Sequence, residues 1–192
     1  MLALAAATAV SWHLWGAERA WIPFALFVYL CMIFRDPRRV VSSAPLGVVS
    51  PVDGRVVETV RSANGQLDGE VSRISIRVSS FGTYTARAPV EGKIMDLHAL
   101  ARPSSRPVDA AGLWVVTDEG ENVILQFHGN RFRLAPRGFL RYGERVGQGQ
   151  RCAYLRLTKF AEVEMPGDAK VLVEKEQRVS AGTDLLARLP QP

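Results

Sequence analysis

The first 34 residues of this chain carry almost no charge, and this asymmetry limits the fold more than any other feature of the sequence. Glu18 and Arg19 are the two charged residues of that segment, and they separate an apolar run over 1–16 from a second run over 21–34. A helix needs about 20 residues to cross the roughly 30 Å hydrocarbon core of a bilayer, so each run is short for a span. The pattern predicts a hydrophobic helical hairpin that dips into a membrane or crosses it as two short tilted helices.

The residues that flank the apolar runs indicate how this segment lies in a membrane. Trp21 is an aromatic residue of the kind that favours the interface between lipid and water, and Trp12 and Trp15 lie close to it in the sequence. Basic residues follow the second run at once and favour the cytoplasmic side, namely Arg35, Arg38 and Arg39. We therefore expect a membrane-associated hairpin over 1–34 at the inner (cytoplasmic) membrane, with a domain over 35–192 on the cytoplasmic side. The alternative is a buried hydrophobic helix pair inside a globular fold.

Composition excludes several classes of function. The net charge of +5 is not arranged in a nucleic-acid recognition motif, so we expect no nucleic-acid partner. The two cysteines, Cys31 and Cys152, and the three histidines lack the spacing of a metal site, so no metal and no other bound cofactor is expected. Two distant cysteines without a disulfide framework agree with a reducing compartment.

The remainder of the chain consists of short alternating segments separated by glycine and proline, which is typical of β-strands. Residues 73–79 alternate strictly between polar and apolar side chains, the period-2 pattern of a half-buried strand. Similar short segments lie at 123–127, 154–157 and 171–173. No amphipathic helix of convincing length follows residue 40, so we predict a mainly β domain.

Two sequence units occur twice in this β-rich part. Residues 50–56 (SPVDGRV) are echoed 38 positions later by 88–94 (APVEGKI), and residues 144–150 (ERVGQGQ) are echoed 33 positions later by 177–183 (QRVSAGT). Each unit combines a turn that uses glycine with the start of a new strand. Two copies are too few for a solenoid. They predict a pseudo-symmetric β-sandwich or barrel-like domain, related to the barrel-sandwich hybrids, whose lysine-modified carrier motif is absent here.

Four segments in this order resemble the short, membrane-anchored phosphatidylserine decarboxylases. Residues 34–39 (FRDPRR), 49–56 (VSPVDGRV), 87–94 (RAPVEGKI) and 179–183 (VSAGT) are similar to the family strings FRDPxR, SPADGKV, RxPxxG and VxAGET. The resemblance covers essentially the whole chain. It implies a β-rich fold of that family and a place in phospholipid metabolism as a lyase.

The resemblance also implies a mechanism. Members of the family cut themselves at a Gly-Ser bond, and the serine becomes a pyruvoyl group that serves as the electron sink for decarboxylation of phosphatidylserine. An aspartate and a histidine assist the serine, as an oriented base assists a hydroxyl nucleophile. Asp53 stands at the aspartate position, but Tyr84 stands where the histidine is expected. A phenol, with an ordinary pKa of about 10, is a poorer general base than imidazole near neutral pH.

The Gly-Ser pair is absent from the segment in which the family cuts itself. Residues 154–165 read YLRLTKFAEVEM, and Thr158 is the hydroxyl residue nearest to the expected serine. Attack by Thr158 on the preceding carbonyl would leave a 2-oxobutyryl group. The alternative, a continuous strand over 152–158 in which Thr158 is only a good β-former, is favoured by propensity and by the stiffness of Leu157.

These observations leave three hypotheses. The first is a non-cleaving, degenerate relative, a pseudoenzyme without a pyruvoyl site, that is held at the membrane and binds phospholipid or a protein partner such as a second copy. The second is an active phosphatidylserine decarboxylase, forming phosphatidylethanolamine with its own pyruvoyl-type group after atypical self-processing near Thr158. The third is a non-catalytic barrel-sandwich adaptor in a membrane complex. The expected site residues are Asp53, Tyr84 and Thr158, and the expected membrane-binding residues are Trp21, Arg35, Arg38 and Arg39.

Overall fold

The apolar front and the β-rich body form two separate units of the chain. The computed structural model describes residues 17–33, 39–41, 44–63, 65–67, 69–96, 111–129, 136–155 and 157–190. The contacts within the chain divide it into Met1–Pro37 and Arg38–Pro192. The first half of the predicted hairpin, residues 1–16, lies outside the described residues.

The second apolar run forms helix α1, Ala17–Ile33. Glu18 and Arg19, which separate the two apolar runs, both lie in the first turn of this helix. Pro23 lacks an N–H group, so the helix loses one hydrogen bond along its length. Trp21 is 63% exposed. Among the helical residues that the structure describes, no helix is both long and apolar enough to span a bilayer.

The body is mainly β, as predicted, and its large sheet curls into a half-barrel. The strands run in chain order as follows: β1 Gly47–Val49, β2 Gly54–Ser62, β3 Val71–Val78, β4 Thr85–Arg87, β5 Gly92–Asp96, β6 Ala111–Val116, β7 Asn122–His128, β8 Arg137–Gly138, β9 Arg145–Val146, β10 Arg151–Tyr154, β11 Phe160–Pro166, β12 Lys170–Val171, β13 Arg178–Val179 and β14 Leu185–Arg188. The strands predicted at 73–79 and 123–127 are confirmed as β3 and β7. The strand predicted at 171–173 corresponds to β12, which ends two residues earlier than predicted, at Val171.

The order of the strands shows that the two halves of the body are related by a pseudo-twofold axis. The eight-stranded sheet has the order β13-β2-β3-β11-β7-β6-β5-β9, and the two smaller sheets have the orders β1-β14-β12 and β4-β10-β8. Exchanging the halves places β13, β2, β3 and β11 on β9, β5, β6 and β7. The same exchange places β1, β14 and β12 on β4, β10 and β8. The pseudo-symmetry predicted from the sequence repeats is therefore present in the strand order itself.

Hydrogen bonds between the repeats are reciprocal, as this symmetry requires. Val49 N–H donates to the carbonyl of Pro89 at 2.8 Å, and Arg87 N–H donates to the carbonyl of Pro51 at 2.8 Å. Each pair is the image of the other under the 38-residue shift. The two copies of the first unit thus hold each other across the axis, which explains why neither half forms a separate domain.

The second unit is attached to the first in the same way in both halves. Gly182 N–H donates to the carbonyl of Ser50 at 2.7 Å, and Gly149 N–H donates to the carbonyl of Ala88 at 2.9 Å. Both glycines have positive φ angles, of 73° and 70°. This conformation is costly for residues with a Cβ atom, which explains why glycine stands at both turns.

The core lies between the curled sheet and the two smaller sheets, and both halves contribute to it. Fully buried residues include Val56, Ile76 and Ile94 from the large sheet and Leu186 from a small one. Cys152 on β10 belongs to this cluster. Burial raises the pKa of its thiol from 9.0 to about 12, against the smaller opposing effects of a backbone hydrogen bond and of the Arg87 charge. Cys152 is therefore a neutral packing residue.

Candidate functional site

Asp53 lies in the loop that enters β2, and both of its carboxylate oxygens accept hydrogen bonds. Its Oδ1 accepts the N–H of Ala181 at 2.8 Å. Its Oδ2 accepts the N–H of Thr83 at 2.9 Å and the guanidinium of Arg39 at 2.7 Å. The side chain is 13% exposed. The carboxylate is thus held in place by two amides and one cation.

The segment after β3 wraps closely around this aspartate. Ser79 N–H donates to the main-chain carbonyl of Asp53 at 2.8 Å. A Cβ atom added to Gly82 would lie 2.6 Å from the Asp53 Cβ, so glycine permits the close approach. The segment after β3 therefore places the Thr83 amide against the Asp53 carboxylate and holds that side chain in position.

Among the residues that the structure describes, the pseudo-symmetric half does not repeat this site. Glu91 occupies the position of Asp53 in the second copy of the repeat, and it is exposed. The fold therefore supplies the same turn twice, but only the first copy directs a carboxylate inward.

Tyr84 directly follows the residue that binds Asp53. Its carbonyl accepts the N–H of Leu155 at 2.9 Å, which connects this loop to the end of β10. Its ring centroid lies 5.6 Å from that of Tyr154, and the Tyr154 ring lies 5.3 Å from that of Phe139. Tyr84 thus belongs to an aromatic cluster with Tyr154 and Phe139.

Thr158 lies in a turn, and the continuous strand predicted over 152–158 is wrong. Strand β10 ends at Tyr154, and β11 begins at Phe160. Leu157 between them has a φ angle of +71°, a left-handed conformation that interrupts strand pairing. The N–H and the hydroxyl of Thr158 both donate to the carbonyl of Leu155, at 3.0 Å and 2.5 Å. Thr158 is therefore a buried turn residue, 6% exposed.

Main-chain hydrogen bonds connect the loops that carry the three predicted site residues. Asp53 binds the amide of Thr83, the next residue is Tyr84, and the carbonyl of Tyr84 binds the start of the Thr158 turn at Leu155. The loops of Asp53, Tyr84 and Thr158 are thus connected through main-chain amides and carbonyls.

Of the predicted membrane-binding residues that the structure describes, one is exposed on the helix and the other contacts Asp53. Trp21 is exposed on α1. Arg39 binds Asp53, with its own side chain 22% exposed. Arg35 and Arg38 lie outside the described residues. Sequence reasoning assigned Arg39 by its distance from the apolar run and missed its contact with Asp53, because the two residues are 14 positions apart.

An open cavity of about 540 Å³ lies against Asp53, and sequence reasoning missed it. Four arginines line it together with two serines, an exposed phenylalanine and neighbouring backbone, namely Arg39, Arg55, Arg77, Arg178, Ser79, Ser180 and Phe81. The signal for it is the repeated presence of arginine next to the turn motifs. The sequence alone does not show that these arginines lie close together, because the strand register brings them to one place.

The family model and the curated relatives agree with each other. The family model described as phosphatidylserine decarboxylase matches residues 26–187. The phosphatidylserine decarboxylase proenzyme of Burkholderia mallei (strain SAVP1) is 29% identical over 99% of this chain and 92% of its own length. That of Burkholderia vietnamiensis (strain G4 / LMG 22486) is 27% identical over 99% of this chain and 93% of its own length. A solved structure, glucose permease IIA from Mycoplasma capricolum, matches with a TM-score of 0.49 and 15% identity, covering 74% of this chain and 94% of that one.

Proposed function

Because this chain belongs to the phosphatidylserine decarboxylase family, we propose that it is a membrane-associated member that does not cleave itself and that binds phospholipid. Its role is then to hold a lipid or a lipid-bound partner, without acting as a lyase. The observation that carries this proposal is the state of Thr158, the hydroxyl nearest to the expected cleavage position.

The Thr158 hydroxyl donates a hydrogen bond within its own turn. It donates to the Leu155 carbonyl at 2.5 Å, and the residue is 6% exposed. A nucleophile for self-cleavage needs a base that takes its proton and a carbonyl within reach of its oxygen. Donation to a carbonyl three residues earlier supplies a turn contact, which supports a structural role for this threonine.

The residues present do not fit the family's pyruvoyl group. Residues 150–166 contain neither serine nor glycine, so the segment in which the family cuts itself lacks a serine from which that group could form. The Asp53 carboxylate is occupied by Arg39 and by two backbone amides, and a phenol replaces the imidazole at position 84. These features together favour binding over catalysis.

The membrane part of the proposal is supported by the sequence and by the exposed face of α1. Apolar side chains of this helix are exposed, with Trp21 at 63%, Phe24 at 56% and Met32 at 60%. Exposed aromatic and aliphatic groups on a helix are typical of segments that contact lipid.

A second candidate, an active decarboxylase that processes itself near Thr158, is favoured by one specific observation. Leu157 holds a left-handed backbone, with φ of +71°, directly before Thr158. Strained residues of this kind persist at functional sites, and a scissile bond is one such place. The two candidates differ in whether the chain stays whole.

Intact-mass spectrometry of the purified full chain decides between them. We expect a single species at 21.1 kDa, with no carbonyl-bearing N-terminus and no release of carbon dioxide from phosphatidylserine vesicles. A C-terminal fragment beginning at Thr158, 192 − 157 = 35 residues long, would instead establish the active enzyme. The matched control is Thr158→Val, which keeps the shape and removes the hydroxyl. A fragment that persists in this variant comes from a contaminating protease.

The backbone conformation of Leu157 gives a separate prediction. Leu157→Gly is expected to raise the free energy of unfolding by about 1 kcal/mol, because glycine adopts the left-handed region without the Cβ penalty. Leu157 is 53% exposed, so little packing is lost. Leu157→Ala keeps the Cβ and serves as the control in the same urea denaturation. Equal stability of the two variants would show that the turn is unstrained.

A further inference from the structure

Three arginines stand directly opposite one another on neighbouring strands of the large sheet. Arg178 on β13 pairs with Arg55 on β2, and Arg55 pairs with Arg77 on β3. Directly paired residues on antiparallel strands point to the same face, with Cβ atoms about 5 Å apart. We call these three residues the arginine row.

The arginine row faces the cavity beside Asp53, and its charges are poorly neutralised. Arg55 pairs with Glu176 at 3.0 Å, a contact whose side chains are 46% and 61% exposed. The guanidinium of Arg77 lies 5.9 Å from the centroid of the Phe160 ring. Within the described part of the chain, no carboxylate lies within the 4.0 Å ion-pair distance of Arg77 or Arg178.

Like charges that stand directly opposite each other destabilise a sheet. With Arg39 included, four arginines line the cavity. Arg39 is paired with Asp53 and Arg55 with Glu176, which leaves the charges of Arg77 and Arg178. The folded chain therefore bears a repulsion that a bound anion would relieve.

The pseudo-symmetric half provides an internal comparison. The row there consists of Arg145 on β9, Lys93 on β5 and Val116 on β6. Arg145 makes an ion pair with Asp118. The same positions of the fold thus hold one neutralised arginine, one lysine and one valine. The arginine row is consequently not a requirement of the architecture.

We propose that the arginine row binds the phosphate group of a phosphate ester, either a phospholipid head group or a soluble compound. Guanidinium groups recognise phosphate through paired N–H donors, and three of them on adjacent strands present such donors to one oxyanion. Ser79 and Ser180 add hydroxyl groups to the same cavity, and the 71% exposed Phe81 offers an apolar contact beside it. The inference adds a ligand chemistry to the proposed function and rests on that function only for the lipid source.

Inorganic phosphate is the probe for the shared chemistry. The full chain in uncharged detergent is titrated with phosphate against chloride of equal ionic strength, and the thermal midpoint is followed. We expect phosphate to raise the midpoint, and Arg178→Gln to weaken the apparent affinity about tenfold, since hydrogen bonds between charged groups are the strong ones. The matched control is Arg145→Gln, the equivalent position in the other half, which is expected to keep the response.

Folding of the variant is checked in the same experiment. Without phosphate, Arg178→Gln should melt at or above the wild-type midpoint, because it removes a like-charge contact. Arg77→Gln serves as a second variant, with Lys93→Gln as its control. Equal phosphate responses in the row variants and in both controls would overturn the proposal, and so would the absence of any specific phosphate effect in the wild-type chain.

Vesicles distinguish the two sources of phosphate. Binding of the same variants is compared on vesicles of phosphatidylcholine with phosphatidylglycerol, with and without added inorganic phosphate. Weaker binding of Arg178→Gln than of Arg145→Gln, with competition by phosphate, assigns the site to a lipid head group. Equal vesicle binding together with a specific phosphate response assigns it to a soluble ester. A self-cleaved chain in the mass experiment would refute the proposed function and leave the phosphate titration unaffected.

Discussion

Asp53→Asn is expected to lower the free energy of unfolding by roughly 2 to 4 kcal/mol, because three donors converge on this one carboxylate. The amides of Thr83 and Ala181 and the guanidinium of Arg39 all donate to it. Asparagine offers one acceptor oxygen and an NH₂ group, so at least one donor would face another donor. The loss is measured by urea denaturation of the full chain, followed by circular dichroism.

The repeat supplies the matched control for this experiment. Glu91→Gln makes the same change of charge at the equivalent position, where the side chain is exposed. Exposed substitutions of this kind change stability by about 0.5 kcal/mol or less. Equal losses in the two variants would mean that the contacts of Asp53 do not hold the loops together.

Glu164→Gln is expected to lower the free energy of unfolding by about 3 kcal/mol, because it breaks a buried ion pair at the centre of the large sheet. Glu164 on β11 is 1% exposed, and its Oε1 accepts the Nε–H of Arg73 on β3 at 2.8 Å and lies 2.7 Å from Nη2 of the same guanidinium. Its Oε2 accepts the N–H of Gln66 at 2.8 Å. The neutral amide cannot satisfy all three contacts with the same strength.

Asp118→Asn is the control for the ion pair. Its partner is Arg145, and the two side chains are 53% and 70% exposed, so the expected loss is below about 1 kcal/mol. The double variant Arg73→Met with Glu164→Leu removes both charges, and it should recover much of the loss because no buried charge is left unpaired. If Glu164→Gln and Asp118→Asn lower the free energy of unfolding equally, the buried ion pair stabilises the sheet no more than the exposed pair does.

Local chemistry made the architecture predictable. Proline and glycine set the turns of the two repeats, and the turns recur at spacings of 38 and 33 residues, so the two halves are visible in the amino-acid sequence itself. The alternation at 73–79 likewise predicted β3 correctly, because one face of that strand is buried.

The strand predicted over 152–158 failed because its residues were judged by β-propensity and by the stiffness of Leu157, without their tertiary contacts. The left-handed Leu157 and the return of the Thr158 hydroxyl to Leu155 end the strand early. The Leu155 amide is in turn held by Tyr84, more than 70 residues away in the chain. Tertiary context overrides a weak β preference in such a place.

The sequence by itself determined the β class, the pseudo-twofold repeat and the family, because each of these is encoded in local patterns of proline, glycine, aspartate and alternating apolar residues. The surroundings of Asp53 required the tertiary structure, since its partners Arg39, Thr83 and Ala181 lie 14, 30 and 128 residues away. The arginine row was decided by strand register alone. Register places side chains of distant segments face to face, and no local pattern records which arginine stands opposite which.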